Sequence, residues 1–396
     1  GFMNTATLQF IARFKDENPL KLALNADKFP DVDMRFALRQ IAGRQSIKEK
    51  LPTWYASEGI LYPEHLPLEQ CSSEATARYK AQLVQGNSLI DLTGGLGVDC
   101  YFLSRNFVQT TYVERQADLC AIAKENFKVL DASIAVCCDD AVHFLETNCP
   151  QSDVIFIDPA RRDCGGSKVV SLADCEPNLV ELLPLLFTAA PIVLAKLSPM
   201  LDVSATIANL QYVKELHCVS VDNECKELLV LMERGFKGEP RIKCTNITKK
   251  GIEQFDFLLS EEKTAKPNMT DDVGRYLYEP NASILKAGAF KLLTHAYDVC
   301  KLHINSHLYT SNKWISTFSG RQFEIVRQFE FGKREIEELR QAVSGKCNLT
   351  VRNFPVSVDA LRKKLRLKEG GDAYVFATTI GARKVLLLCR KVKVEE

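Results

Sequence analysis

From residue 88 onward, short apolar runs alternate with segments of helical periodicity, and this alternation constrains the fold more than any other feature. The runs are 88–92, 110–113, 133–137, 153–157 and 192–195; helix-like stretches fill 98–107, 116–130, 141–148 and 178–186. Apolar strands joined through helices pack as a parallel sheet covered on both faces, with right-handed crossovers. Two more runs, 212–221 and 227–232, are separated only by Asp222-Asn-Glu-Cys-Lys226, too short for a crossover. The last two strands are therefore expected to form an antiparallel hairpin. The fold class is α/β, a Rossmann-like sheet of parallel strands ending in that hairpin.

Other segments flank it. Residues 1–80 read as helical, with apolar residues at helix spacing in 5–14 and 34–50. A helix over 70–81, with Ser72 or Ser73 as N-cap, feeds into the first strand. Gly235-Phe-Lys-Gly-Glu-Pro240 punctuates the chain as a boundary. Beyond it, two small α+β domains are expected. The resulting division is 1–80 helical, 81–235 the sheet domain, 236–330 a mixed unit and 331–396 a basic one. In the mixed unit, 284–300 reads as a helix and 302–310 as a strand; in the last, the turn Glu369-Gly-Gly-Asp372 follows a basic helix over 357–368.

Charge divides the same way. The whole chain carries only +1, but residues 331–396 sum to about +7, much of it in Leu361-Arg-Lys-Lys-Leu-Arg-Leu-Lys368. Such a basic module suits a polyanion. No apolar run approaches the roughly 20 residues of a membrane span, and no basic-then-apolar leader is present. The fourteen cysteines form no Cys-x-x-Cys pair and read as reduced, mostly buried thiols of a cytoplasmic protein. Cys300, His303 and His307 would share a face if 302–310 were a strand, but they lack a fourth ligand, so no metal is expected.

The chemistry gathers at strand ends. Ile90-Asp-Leu-Thr-Gly-Gly-Leu-Gly-Val-Asp99 passes from strand to helix through glycines, where a nucleoside-bearing ligand can approach backbone N–H groups. Cys100 stands where a dinucleotide fingerprint needs its third glycine, which disfavours NAD and FAD. Asp91 suits a positively charged amino group. Glu114, about 20 residues on, can accept ribose hydroxyls. At the third strand end, Asp140, or its competitor Asp139, can accept an adenine amine next to Ala141. The fourth strand, Asp153-Val-Ile-Phe-Ile-Asp-Pro-Ala-Arg-Arg162, delivers Asp158 to the same edge, with Pro159 fixing the local backbone. A carboxylate there can hold an amine nucleophile and aim its lone pair.

These residues resemble the motifs of class I S-adenosylmethionine-dependent methyltransferases: Asp91-Leu-Thr-Gly-Gly-Leu-Gly97, Glu114, Asp140 and Asp158-Pro-Ala-Arg161. The whole layout, with Ser72-Ser-Glu-Ala-Thr-Ala-Arg-Tyr-Lys-Ala81 before the sheet and a basic tail after it, is similar to a bacterial group carrying a THUMP-like domain. The middle unit resembles that group's small ferredoxin-like domain. The resemblance implies S-adenosylmethionine as cofactor, bound by Asp91, Thr93, Gly94, Gly95, Gly97, Glu114, Arg115, Asp139, Asp140 and Ala141. It implies Asp158 and Pro159 as catalytic, and a base nitrogen of ribosomal or transfer RNA as acceptor.

Two departures qualify the resemblance. Enzymes that methylate amino groups of nucleic acids usually carry Asp/Asn-Pro-Pro-aromatic; here Ala160 and Arg161 take the last two places, so no aromatic stacks on a flipped base. Uridine C5-methyltransferases need a cysteine at the next strand end, where this chain has Ala195-Lys-Leu-Ser-Pro-Met200. Cys164 and Cys175 are poor substitutes for it. Arg161, Arg162 and Lys168 on the glycine-containing loop, and Lys196 at the fifth strand end, are the expected substrate contacts. A small-molecule or protein acceptor, or a non-catalytic RNA-binding role, are the alternatives.

Overall fold

In the computed structural model the described residues are 4–161 and 171–393. They form two compact units, Gly1–Leu216 with Glu227–Gly238, and His217–Lys226 with Glu239–Glu396.

The first unit begins with helices Thr5–Phe14, Pro19–Leu24 and Met34–Ser46, whose N-caps Asn4, Asn18 and Asp33 each accept a backbone N–H. They close over a small core of Phe10, Leu22, Ala37 and Ile41. The helix expected over 70–81 runs Glu74–Ala81, and Ser73 is its cap. Ser72 is thereby freed for another role.

Nine strands belong wholly or partly to this unit: β1 (Gly86–Asp91), β2 (Phe107–Glu114), β3 (Ile134–Cys138), β4 (Val154–Ile157), β5 (Ala160–Arg161), β6 (Cys175–Glu176), β7 (Ile192–Leu197), β8 (Val213–Val221) and β9 (Glu224–Glu233). The sheet order is β3-β2-β1-β4-β7-β9-β8. β1 pairs in parallel with both β2 and β4, and β4 with β7, while β9 runs antiparallel to β7. β4 is buried at every position, as a central strand covered on both faces requires. The break between β8 and β9 is shorter than expected. Asp222 and Asn223 both take left-handed conformations (φ 47° and 63°), the geometry of a two-residue hairpin turn, so β9 begins at Glu224 instead of 227. β5 and β6 form a separate two-stranded ribbon. Chain order reverses between β1 and β4, and ligands of open α/β sheets bind at that point, outside the carboxyl ends of the strands.

The second unit adds a hairpin, β10 (Arg241–Thr248) and β11 (Gly251–Leu258). It also holds a seven-stranded sheet of β12 (Tyr276–Pro280), β13 (Cys300–Lys301), β14 (Tyr309–Ser311), β15 (Gly320–Glu330), β16 (Lys346–Arg352), β17 (Lys368–Ile380) and β18 (Arg383–Lys391). Its order is β13-β14-β12-β15-β18-β17-β16, so one sheet runs through both small domains expected from sequence. β16 and β17 are parallel, and the helix Val358–Leu365, capped by Ser357, forms their crossover.

Three local expectations fail here. The segment 284–300 is not one helix: Gly288, at φ 82°, ends Ala282–Ala287, and only a short helix, Leu293–Ala296, follows. The stretch 302–310 is mostly turn; only β14 is strand, and His307 (φ 51°) stacks on Phe290 at 3.5 Å instead of sharing a strand face with His303. Among the described residues no cluster of three potential metal ligands occurs. Glu369–Asp372 is not a turn but a bulge inside β17, with Gly370 and Gly371 at φ 114° and 79° where the register with β16 shifts. No helix among the described residues is long and apolar enough to cross a membrane.

Candidate active site

A cleft of about 480 Å³ opens at the carboxyl ends of β1, β2, β3 and β4, all within the first unit. Its floor is the glycine turn. A Cβ on Gly94 would penetrate the Tyr112 ring, and Gly97 (φ 93°) would bring one within 2.8 Å of Phe127. Gly95 differs: a Cβ there would meet only the Thr93 carbonyl, at 3.8 Å, and the residue lines the cleft. Two glycines thus serve packing and one leaves room for a ligand. Gly97→Ala should lower stability by about 1–3 kcal/mol through backbone strain and overlap, read as a lower urea midpoint.

Asp91 is buried at 1% exposure. Its Oδ1 accepts the Thr93 N–H at 3.0 Å, while Oδ2 is buried with no partner. Burial holds this carboxyl well above the usual range, opposed by the Thr93 N–H. An orphaned buried oxygen beside a glycine turn matches a cationic ligand group. Thr93 joins the two key strand ends: its hydroxyl accepts the Asp158 N–H at 2.7 Å and lies 3.5 Å from Asp91 Oδ1. Glu114 receives the N–H groups of Gly95 (3.1 Å) and Gln116 (2.8 Å), which fix its carboxylate at the cleft wall. Arg115, 63% exposed, reaches Glu176 across 3.6 Å, a surface pair of little energetic weight.

The third strand end separates its two acids. Asp140 caps the helix Ala141–Asn148 by accepting the His143 N–H at 3.1 Å. Asp139 pairs with the His143 ring at 2.9 Å, a hydrogen bond that lowers its own carboxyl and raises the imidazole. Both acids and Ala141 line the cleft.

Asp158 stands at the end of β4 with 36% of its side chain accessible, above buried Pro159. Burial raises its carboxyl above the ordinary range, while Lys196, 3.5 Å away, pulls it down. Lys196 does not line the cleft directly; it contacts Asp158 and Ser72 Oγ (3.0 Å). Burial alone would lower its ammonium, but the surrounding carboxylates of Asp158, Asp99 and Glu227 raise it overall. Arg161 contributes its backbone to β5, and Arg162, Cys164 and Lys168 lie outside the described residues.

Sequence reading missed the charges beneath this edge. Lys80, wholly buried, contacts Glu227 Oε2 at 2.7 Å, Asp99 Oδ1 at 3.0 Å and Ser72 Oγ at 2.9 Å. Removing one partner of such a buried group typically costs about 3–5 kcal/mol. Lys80 lies among Ala77, Tyr79 and Ala81, and Glu227 opens an apolar strand. A charge inside an otherwise buried face was the available signal.

The order β3-β2-β1-β4-β7-β9-β8, with its reversed hairpin, glycine turn and acids at four strand ends, defines a class I methyltransferase domain. Comparison with known proteins agrees. Residues 74–172 match the family model described as conserved hypothetical protein 95, 276–318 a ferredoxin-like domain, and 320–391 a THUMP domain-like family. The solved structure of a "putative methyltransferase" from Porphyromonas gingivalis W83 is 34% identical, covers 98% of both chains and superposes with a TM-score of 0.89. Proteins of two Mycobacterium tuberculosis strains, H37Rv and CDC 1551, each called an uncharacterized S-adenosylmethionine-dependent methyltransferase, are 24% identical over 357 residues, covering 89% of this chain and 92% of theirs. The chain belongs to the S-adenosylmethionine-dependent methyltransferases, in the group that carries a THUMP-like domain.

Proposed function

We propose that this methyltransferase acts on a base nitrogen of ribosomal or transfer RNA, with Asp158 as the acceptor-positioning carboxylate. The observation that carries this reading is the placement of Asp158, at the end of β4, in the same cleft as Asp91, Glu114 and the glycine turn. Bound S-adenosylmethionine would supply a sulfonium methyl: a nitrogen lone pair bonds to its carbon as the C–S electron pair leaves with the sulfur. Asp91 Oδ2 would take the cofactor's amino group, Gly95 would give the backbone room, Glu114 would accept hydrogen bonds from the ribose hydroxyls, and Asp140 with Ala141 would meet the adenine. The Asp158 carboxylate accepts a hydrogen bond from the acceptor amine, aims its lone pair at the methyl, and receives or passes on the proton that the amine loses.

RNA as substrate is supported by the THUMP domain-like match and by the exposed cations within it, among them Lys363, Lys364, Arg366, Lys368, Arg383 and Lys384. Such cations bind phosphates with a steep salt dependence. The test is methyl incorporation from labelled S-adenosylmethionine into RNA from cells lacking the protein. Incorporation should vanish in Asp158→Ala. Replacing Lys363, Lys364 and Arg366 by glutamine should flatten the slope of log affinity against log salt by about 2, near 0.7 per lost single-strand contact. Incorporation only into protein or small molecules, with salt-independent and negligible RNA affinity, would overturn the RNA assignment.

A further inference from the structure

Behind Asp158 lies a chain of buried polar contacts that the reaction does not use directly. Ser72 Oγ donates to Asp99 Oδ2 at 2.9 Å and accepts from Lys80 Nζ at 2.9 Å and Lys196 Nζ at 3.0 Å. A hydroxyl has one proton and two lone pairs, so all its capacity is used. Lys80 Nζ donates to Ser72 Oγ and to both Glu227 carboxylate oxygens, and forms an ion pair with Asp99 at 3.0 Å. Lys196 is anchored on one side by Ser72 and faces Asp158 Oδ2 on the other. The contacts gather side chains from the helix Glu74–Ala81 and the residue before its cap, the helix Val98–Ser104, β7 and β9.

Burying two ammoniums and two carboxylates is a poor way to gain stability; apolar side chains of similar volume would serve as well or better. The arrangement makes sense if it sets the position and charge of something else. We propose that Ser72 and Lys80 are positioning residues for the acceptor site: they hold Lys196 against Asp158, so that its carboxylate stays anionic and turned into the cleft. This deepens the proposed function and rests on Asp158 being the acceptor carboxylate.

The charge balance supports it. Asp158 faces two cations, Lys196 on β7 and Lys80 on the helix Glu74–Ala81. Against them stand three carboxylates, Asp99 on the helix Val98–Ser104, Glu227 on β9 and Asp91 on β1, and the Cys175 thiol on β6. With carboxylates in excess, Lys196 is the nearest cation favouring the ionised form of Asp158. Lys196 has a long, flexible stem, and Ser72 is the contact opposite Asp158 that keeps it from swinging away.

The test needs neither the acceptor nor turnover. The full chain, labelled with carboxyl-13C aspartate, is titrated by NMR, and the Asp158 signal is assigned by its absence in Asp158→Asn. In Ser72→Ala the Asp158 midpoint should rise by about half to one pH unit, a three- to tenfold change in its acid constant. Ser72→Thr, which restores a hydroxyl, should return it to the wild-type value, and Lys196→Gln should raise it further than Ser72→Ala. A merely structural role for Ser72 would leave the midpoint unmoved. An unchanged midpoint in either Ser72→Ala or Lys196→Gln would overturn the proposal, and if Ser72→Ala fails to fold, Ser72→Cys is titrated in its place. If the midpoints move as expected but Asp158→Asn still methylates RNA at the wild-type rate, the network stands and the catalytic reading of Asp158 falls.

Discussion

Asp158→Asn is expected to lower the rate of methyl transfer at saturating S-adenosylmethionine by about 10²- to 10⁴-fold, the usual contribution of one positioned acid–base group. The substitution keeps the size of the side chain and its backbone bond to Thr93 but removes the anion. Cofactor affinity should change far less than the rate, since the loss falls on the acceptor. The pH dependence follows from the raised carboxyl of Asp158. Transfer requires the anion, so the wild-type rate falls as pH drops through a value above the ordinary carboxylate range of about 4. Stability runs the other way: an acid whose folded value is raised makes the fold less stable as pH climbs from its unfolded value to its folded one. In Asp158→Asn the rate trend should disappear and the stability trend should shrink to what Asp91 contributes. A variant that keeps more than a tenth of the wild-type rate would show that the acceptor is held elsewhere.

Asp91→Asn should separate binding from folding, with opposite signs. Asp91 is buried, Oδ2 lacks a partner, and its carboxyl is held well above the usual range. Without ligand, ionising it opposes folding, so the asparagine variant should match or exceed the wild type in thermal midpoint near neutral pH. S-adenosylmethionine should nevertheless bind about 10- to 150-fold more weakly, since a charge-assisted hydrogen bond is worth about 1.5–3 kcal/mol. Wild-type binding should also release protons, because a cationic amino group brings the carboxyl down. Calorimetric heats measured in two buffers of different ionisation enthalpy should therefore differ for the wild type and agree for Asp91→Asn. Equal affinities would place the amino group away from Asp91.

The sheet was legible because each central strand is a short apolar run and each crossover a separate helix; 192–195 needed extending only to Leu197. The acids were legible for the same reason, since a strand end is a fixed place in this fold. Where glycine or a local turn overrides periodicity, sequence reading failed. Gly370-Gly371 resembles a turn, yet here two positive φ angles make a bulge and the strand continues. The apolar spacing of 284–300 suggests one helix, but Gly288 ends it in the left-handed region. The Lys80 network was only half legible: a charge on a buried face marks each end, but not its partner. Lys80 and Glu227 lie 147 positions apart, and nothing local to either shows that strand order will bring them together.

Thr93 has one more consequence. Its hydroxyl accepts the Asp158 N–H and lies beside Asp91 Oδ1, so one side chain touches both carboxylates proposed to hold the cofactor and the acceptor. If Asp91 holds the cofactor and Asp158 the acceptor, as proposed, filling one subsite perturbs a group that the other relies on. The two ligands are then thermodynamically linked, and linkage is reciprocal: whatever factor the cofactor applies to acceptor affinity, the acceptor applies to cofactor affinity. Thr93→Val, which removes the shared hydroxyl, should weaken that coupling equally in both directions.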